Sequence, residues 1–439
     1  MTHIEKINKI IEQIKNNSTT KNPFVFTKKS VSHVVPDLAE NKKQTTEIFI
    51  GDLTDILEVD FQNQTCTAEA GVSFCDLVDK TLPLGLMPYV VPELKTITIG
   101  GAVSGCSIEA MSYRYGGFHH SAIEYEYIDA RGEIKTCSPE KDADVFEMLH
   151  GSYGTIGILT KIKFKLYPAK PFVKMTYPKF HNFNDFWNFL QERCRLGDYT
   201  FVDAIIYDKN NFIVCLGELV DTAPYTSHYD WLEIFYKSTL TKNEDYLTTK
   251  DYFYRYDAEC HWITRTVPIL ENKIFRFFFG KIYLGSTNLI KISKKLAAIL
   301  RKKKRPDVVV DVFVPSQNFP KFYDWYEKDF NFFPLWIVPY RTPQIYPWIN
   351  PNHAAKTNEK FYIDCAVYGR PNCEEKVDYS ELIENKVFEL GGMKTLISRN
   401  HYSEQRFWEI YNQPAYMAIK RKTDPDNRLG TIYENRVKK

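Results

Sequence analysis

Ile4, Ile7, Ile11 and Ile14 recur at helical spacing among Lys, Glu and Asn, which predicts an amphipathic helix at the start of the chain. Such a stripe either docks on its own domain or lies on a membrane surface. Short apolar runs predict strands at 24–27 and 47–50, and 56–59 with 65–70 flank Asn63 as a hairpin. Residues 72–82 read as a helix stopped by Pro83 and Gly85. Residues 96–99 read as a strand running into Gly100-Gly101. Strands at 125–130 and 133–137 then flank the Arg131-Gly132 turn, and a helix covers 142–149. From 157 to 167, Ile162, Phe164 and Leu166 alternate with Lys161, Lys163 and Lys165, the period of a half-buried strand.

Pro168-Ala-Lys-Pro171 is the clearest linker. It divides the chain into a first domain, 1–170, to which residues 405–439 are expected to return, and a second domain, 171–404. In the second, helices are predicted at 183–195 and 289–303, and strands at 201–207, 212–219, 308–314, 335–339 and 362–367. Two strands per helix argue for an α+β layer with an antiparallel sheet rather than a doubly wound one.

Composition narrows the function. In 439 residues, 44% are hydrophobic and 26% charged, which is ordinary for a globular protein and rules out long disorder. A net charge of +2 provides no field for gripping nucleic acid. No apolar run reaches the length of a spanning helix and no secretory leader is visible, so the expected location is cytoplasmic or peripheral at a membrane. The nine cysteines are scattered without C-x-x-C, which reads as reduced thiols, and no metal site is expected. Twelve of the 20 glycines lie between Gly51 and Gly157, whereas aromatics dominate the remainder of the chain. A glycine-using site half and an aromatic half are implied.

Two glycine loops are candidates for a phosphate or a flat ring: Thr98-Ile-Gly100-Gly101-Ala-Val-Ser104-Gly105, and Gly151-Ser-Tyr-Gly154-Thr-Ile-Gly157. Neither is G-x-G-x-x-G opening a helix, and a plain turn is the competing reading of each. Their order, with Pro92-Glu-Leu94 before the first and a lysine-rich strand ending in proline after the second, resembles the PCMH-type FAD-binding domain of the vanillyl-alcohol-oxidase superfamily. Within it, Asp55-Ile-Leu-Glu-Val-Asp60, Ile108-Glu109 with Tyr115-Gly116, and Leu166-Tyr-Pro-Ala-Lys170 resemble the FAD-dependent delta-24 sterol reductases (the 24-dehydrocholesterol reductase and Diminuto group). So do Ile274-Phe-Arg-Phe-Phe-Phe-Gly280, Phe361-Tyr-Ile-Asp-Cys-Ala-Val-Tyr-Gly369 and Arg406-Phe-Trp-Glu409, so the resemblance spans about residues 20–430.

The resemblance implies an FAD-binding domain of two α/β subdomains, an antiparallel α+β cap for substrate, non-covalent FAD, NADPH as electron donor and a sterol or isoprenoid lipid as substrate. A monomer or homodimer with peripheral membrane contact would fit. The implied flavin contacts are Pro92, Thr98, Ile99, Gly100, Gly101, Ser104, Gly105, Gly116, His120, Gly154, Gly157 and Ile158. The family's glycine-bearing first loop is replaced by Thr27-Lys-Lys-Ser-Val-Ser-His33, where Lys28, Lys29, Ser30 and Ser32 would meet phosphate by charge and hydrogen bond. Covalent attachment through His33 is not expected. The resemblance implies a membrane-spanning segment at the start of the family's animal and plant members, and none is expected from the apolar runs of this sequence. The run Arg301-Lys-Lys-Lys-Arg305 is not a family feature. It reads as a cationic helix end, a contact for anionic lipid, or a nuclear signal.

The implied reaction saturates the C24=C25 bond of a sterol side chain. An isolated trisubstituted alkene is not electrophilic, so a positioned acid and a dry cavity are needed. Three residues are candidates. Lys422, in a K-x-D-P-like motif, would sit at the flavin edge or else on the surface. Glu109 would donate a proton or anchor a loop. Asp364, alone in an apolar strand, is either a neutral acid or paired with a cation. Phe275, Phe277, Phe278, Phe279, Trp336 and Tyr340 are candidate walls of a sterol slot, with plain core packing as the alternative. Two rivals stand beside this reading: an FAD-linked oxidase of a sugar or lipid alcohol, and a flavin-free lipid-binding protein.

Overall fold

The computed structural model describes residues 1–17, 19–20, 22–30, 44–299, 306–374 and 376–438, with only the backbone of 293–299. The opening helix, His3–Asn16, starts on a Thr2 capping box and buries Ile7, Ile10 and Ile14. That stripe packs with Phe24, Ile48 and Leu53. Lys6, itself buried, pairs with Asp55 and Glu69. The helix is therefore docked on its own domain, and the membrane-surface alternative falls away. Strands Phe24–Thr27 and Thr46–Phe49 form a small parallel pair beneath it.

The next layer is a six-stranded antiparallel sheet. Its order is Ile56–Asp60, Thr65–Glu69, Ile158–Pro168, Ala122–Ile128, Ile134–Cys137, with Leu86–Pro88 pairing on the long central strand. The period-two strand with its lysines is that central strand. Residues 96–99, expected as a strand, instead cap a helix: the Thr98 hydroxyl accepts the Gly101 N–H and opens the helix Ile99–Gly105. Thr98 makes only one isolated bridge, to Ser73. A four-residue apolar run does not distinguish strand from helix entrance, and the N-cap hydroxyl decided it.

The second sheet has nine strands, antiparallel throughout. Along its main path the order is Glu244–Thr248, Phe172–Thr176, Asn211–Val220, Phe201–Asp208, Leu335–Arg341, Phe361–Arg370, Val308–Pro315, Met393–Lys394. Its two faces differ. On one, Val202, Ala204 and Ile206 join Val310, Val312 and Val314 and Ile363, Cys365 and Val367. They pack against Phe186, Leu190, Phe322 and Ile383 from helices Phe183–Leu196, Phe319–Trp325 and Tyr379–Glu389. On the other face the alternation brings up Asp203, Asp311 and Asp364, one from each of three otherwise apolar strands. Helices Glu404–Ile410, Gln413–Thr423 and Ile432–Arg436 close the chain, and their Phe407, Tyr416 and Ile432 share a core with the six-stranded sheet. The architecture is α+β.

Candidate active site

A cavity of about 1340 Å³ lies between the glycine loops and the aspartate-bearing face of the nine-stranded sheet. Small-molecule sites commonly span about 300–1,000 Å³, so there is room for a dinucleotide and a second molecule. Much of the expected flavin set lines it: Lys28, Lys29, Ser30, Pro92, Thr98, Gly100, Gly101, Ser104, Gly105, Gly154, Gly157 and Ile158. Gly100 is fixed by close approach, since a Cβ there would lie 2.8 Å from the Ala70 carbonyl oxygen; at Gly105 a Cβ would meet nothing within 4 Å. The backbone of this loop is thus bare toward the cavity, as a flat ring or a pyrophosphate requires. Lys29 also reaches Asp52 at 2.7 Å in a solvent-exposed pair. Ser32 and His33 lie outside the described residues, as does the 301–305 run.

Four expectations are corrected. Ile99 faces the core of its own domain, fully buried and absent from the cavity wall. Gly116 and His120 sit in a separate internal cluster. There His120 Nδ1 accepts the Gly117 N–H at 3.0 Å and Nε2 meets the Tyr346 hydroxyl at 2.6 Å. Burial, with His150 nearby, pushes the His120 ring down to about 3, so it stays neutral. A Cβ at Gly116 would collide with that ring, which explains the glycine without a flavin. Lys422 points outward and pairs with Asp142 at 2.7 Å. Two helical positions earlier the chain has turned by about 200°, so it is Lys420 that faces inward. Lys420 donates to the Thr155 and Gly430 carbonyls at 2.8 and 2.6 Å. The K-x-D-P segment still serves the site. Asp424 accepts the N–H groups of Arg428 and Leu429, each at 2.7 Å, and shapes the turn that brings Asn427, Gly430, Asn435 and Arg436 to the cavity.

Glu109 belongs to the fold's interior. Its Oε1 accepts from Arg255 at 2.9 Å, and Asp203 lies 3.6 Å from the same guanidinium. Arg255 is fully buried and stacks 4.2 Å from the Tyr252 ring centroid. Burial pushes Glu109 up to about 7 against the pull of Arg255, with Asp203 adding to the rise. Glu109 does not line the cavity and ties the glycine-loop domain to the sheet that carries Asp203.

Asp364 does line the cavity, and no cation accompanies it among the described residues. Its Oδ1 is buried with no hydrogen-bond partner among those residues. Burial, then the charges of Asp311 and Glu93, drives its carboxyl well above the usual range. Among the described residues, the cation of the paired alternative is not found. Asp311, on the neighbouring strand and the same wall, accepts a hydrogen bond from the Tyr368 hydroxyl, and burial raises it to about 7. Close by, His261 Nδ1 lies 3.3 Å from Glu93. Burial works to raise Glu93, yet the His261 ring holds it below its ordinary value; His261 itself is lowered by burial. Cys260, His261 and Trp262 run consecutively at φ of 44°, 53° and 68°, which costs on the order of 1 kcal/mol or more per residue. That tight left-handed turn puts Cys260 and His261 on the cavity wall.

Asp311, Glu93, His261 and Tyr368 were not among the residues singled out by sequence. Asp311 carried the same signal as Asp364, a lone carboxyl in an apolar strand. Of the aromatic candidates, Trp336 lines the cavity and donates to Asp203 at 2.7 Å, whereas Tyr340 is buried against Tyr346. Phe277, Phe278 and Phe279 are exposed and wall nothing. Phe275 packs on Phe279 and Tyr283 of its own helix. Among the described residues, no group of three or more His, Cys, Asp or Glu side chains is arranged to hold a metal ion.

Residues 2–138 match the FAD binding domain. Over 408 residues the chain is 26% identical to the Delta(24)-sterol reductase of Homo sapiens, covering 89% of this chain and 78% of that protein. The chain is a homologue of the Delta(24)-sterol reductases. The enzyme of that name from Arabidopsis thaliana is 22% identical over 473 residues, 98% of this chain and 84% of its own. Similarity to cytokinin dehydrogenase 3 of Oryza sativa subsp. japonica, 33% over 116 residues, covers only 26% of this chain and 22% of that protein. The shared portion with the sterol reductases therefore includes the cap sheet with Asp311 and Asp364, and not the flavin domain alone.

Proposed function

We propose that this protein is an FAD-dependent reductase of the C24=C25 double bond in a sterol side chain, with NADPH as electron donor. The observation that carries the reading is the cavity's division of labour: bare glycine backbone on one wall, and a buried carboxyl pair without a cation on the other. Lys28, Lys29 and Ser30 would meet the phosphates of FAD, while the Gly100–Gly105 and Gly154–Gly157 backbones would border its ring. Bound FAD, reduced by NADPH, supplies a hydride. The chain must then deliver a proton to the less substituted alkene carbon as tertiary cation character builds at its neighbour. Burial and the neighbouring Asp311 hold the Asp364 carboxyl well above its usual range, which favours its protonated form and would give it a proton to donate. Asp311, at about 7 and bonded to Tyr368, is placed to share and replace that proton. Val309, Phe313 and Trp336 line the same wall and keep water from the developing cation. With no Rossmann nicotinamide fingerprint in the sequence, NADPH and sterol would use the cavity in turn.

The visible spectrum of the purified protein tests this. A flavin band near 450 nm (roughly, for any oxidised flavin) that NADPH bleaches anaerobically and a side-chain-unsaturated sterol restores supports the reductase. His261 on the same wall, its ring lowered by burial, is the feature that favours the reverse chemistry, oxidation of a lipid or sugar alcohol, for which it would act as base. Bleaching by an alcohol and not by NADPH would establish that alternative.

A further inference from the structure

The helix Lys273–Tyr283 carries an apolar face that nothing among the described residues covers. Ile274, Phe277, Phe278 and Ile282 are 71%, 66%, 66% and 65% exposed, and their spacing puts them on one side of the helix. The opposite side is locked. Arg276, fully buried, donates to Glu259 at 2.7 Å and to the Asp230 carbonyl at 3.0 Å, and a Cβ at Gly280 would lie 2.7 Å from the Trp231 Cβ. The outward direction of the phenylalanines is therefore fixed by buried contacts and is not a matter of side-chain freedom. Single exposed apolar residues are common on soluble proteins, but a contiguous aromatic face on one helix marks an interaction surface.

Charge identifies the partner. Between residues 263 and 292 the described chain holds five Lys and Arg (Arg265, Lys273, Arg276, Lys281 and Lys291) against one acid, Glu271. That acid turns inward to Lys237 at 2.6 Å and Tyr236 at 2.9 Å. Two copies of the chain meeting through this face would bring like-charged flanks together, which disfavours a dimer here. Phenylalanine and isoleucine on one face, with Lys273 and Lys281 on the same helix and Lys291 after it, is the pattern of a helix lying in a lipid interface. Position supports the same partner. Ile263, partly exposed just before the helix, and Ile290, just after it, both line the cavity, so this helix stands at the cavity's edge.

We infer that Lys273–Tyr283 docks the protein on the surface of an anionic lipid bilayer and sets the cavity mouth against it, so that an apolar substrate enters from the membrane without crossing water. The substrate part rests on the proposed function; the docking itself does not. The test is flotation of the purified holoprotein with phosphatidylcholine vesicles, with and without phosphatidylserine. Wild type should float with the phosphatidylserine vesicles and be released by salt. The double variant Phe277→Glu/Phe278→Glu should lose binding by about tenfold or more while keeping its flavin spectrum. Phe278→Trp should show a blue-shifted emission on adding the same vesicles, a readout that needs no loss of binding. Wild type remaining unbound, or the double variant floating as wild type does, overturns the inference. So does a wild-type dimer that the double variant dissolves, since a second copy would then be the occupant. Vesicle binding without sterol turnover would keep the docking and reject the reductase.

Discussion

Two buried acidic groups lie on the same face of the nine-stranded sheet and differ in one component. At Glu109 and Asp203 a guanidinium is present: Arg255 touches the first at 2.9 Å and the second at 3.6 Å, under a stack of tyrosines. At Asp311 and Asp364 there is none, and a tyrosine hydroxyl is the partner of one carboxyl while an oxygen of the other is left bare. The first cluster is closed off from the cavity and the second lines it. A buried carboxyl with a cation is an anchor. Burial raises carboxyls in both clusters, but only Asp311 and Asp364 border the cavity with no guanidinium in the way, so only there is a proton available for chemistry.

Removing the cation should have the largest effect on the fold. Arg255→Met leaves Glu109 and Asp203 buried without compensation, and is expected to cost about 3–5 kcal/mol of stability in denaturant melts. By contrast, Asp364→Asn keeps nearly the same shape and removes the cost of burying a carboxyl whose affinity for its proton is raised, so its melting temperature at neutral pH should equal or exceed that of wild type. Sterol reduction should nonetheless fall by about 100-fold to 10,000-fold, the range expected of a lost general acid. A drop in both properties would mean that Asp364 is structural.

The second cluster also predicts a pH dependence with a definite sign. Asp311 keeps its proton in the folded chain up to about 7, whereas the unfolded chain releases it near 3.8. Across that window the folded state holds the extra proton, so stability falls as pH rises. Asp311→Asn should remove this part of the slope in urea melts from pH 4 to 8. The rate of sterol reduction should decline above about pH 7, as the shared proton is lost. The smallest effect belongs to Lys422→Ala. Its pair with Asp142 is solvent-exposed, and the change should be below about 0.5 kcal/mol with turnover unaltered. Lys420→Met, which removes a buried donor to two carbonyls and Asp424, should cost several times more.

Much of this was legible in the sequence where periodicity speaks. The lysine-alternating central strand, the opening helix and the apolar strands at 201–208, 308–315 and 361–370 all arise from period and composition. The Gly100–Gly105 and Gly154–Gly157 loops reach the cavity because glycine records where backbone must come close. Residues 96–99 misled because a capping hydroxyl outweighs three β-prone neighbours. Lys422 misled because a motif gives spacing and not helical phase, and the buried lysine is two positions away. His120 misled because buried histidines satisfy one another as readily as they meet a ligand. Arg255, which decides the character of Glu109, lies 146 positions further along, and no local pattern joins the two. The phenylalanines of 275–279 read as cavity walls by type, whereas Arg276 and Gly280 claim the inner face of that helix.

The claim that matters most is that Asp364 supplies the proton for reduction. The two half-reactions of Asp364→Asn, followed anaerobically by flavin absorbance, test it most directly. NADPH should bleach the variant at the wild-type rate, while a side-chain-unsaturated sterol should restore the colour at least about 100-fold more slowly. Restoration at the wild-type rate would contradict it.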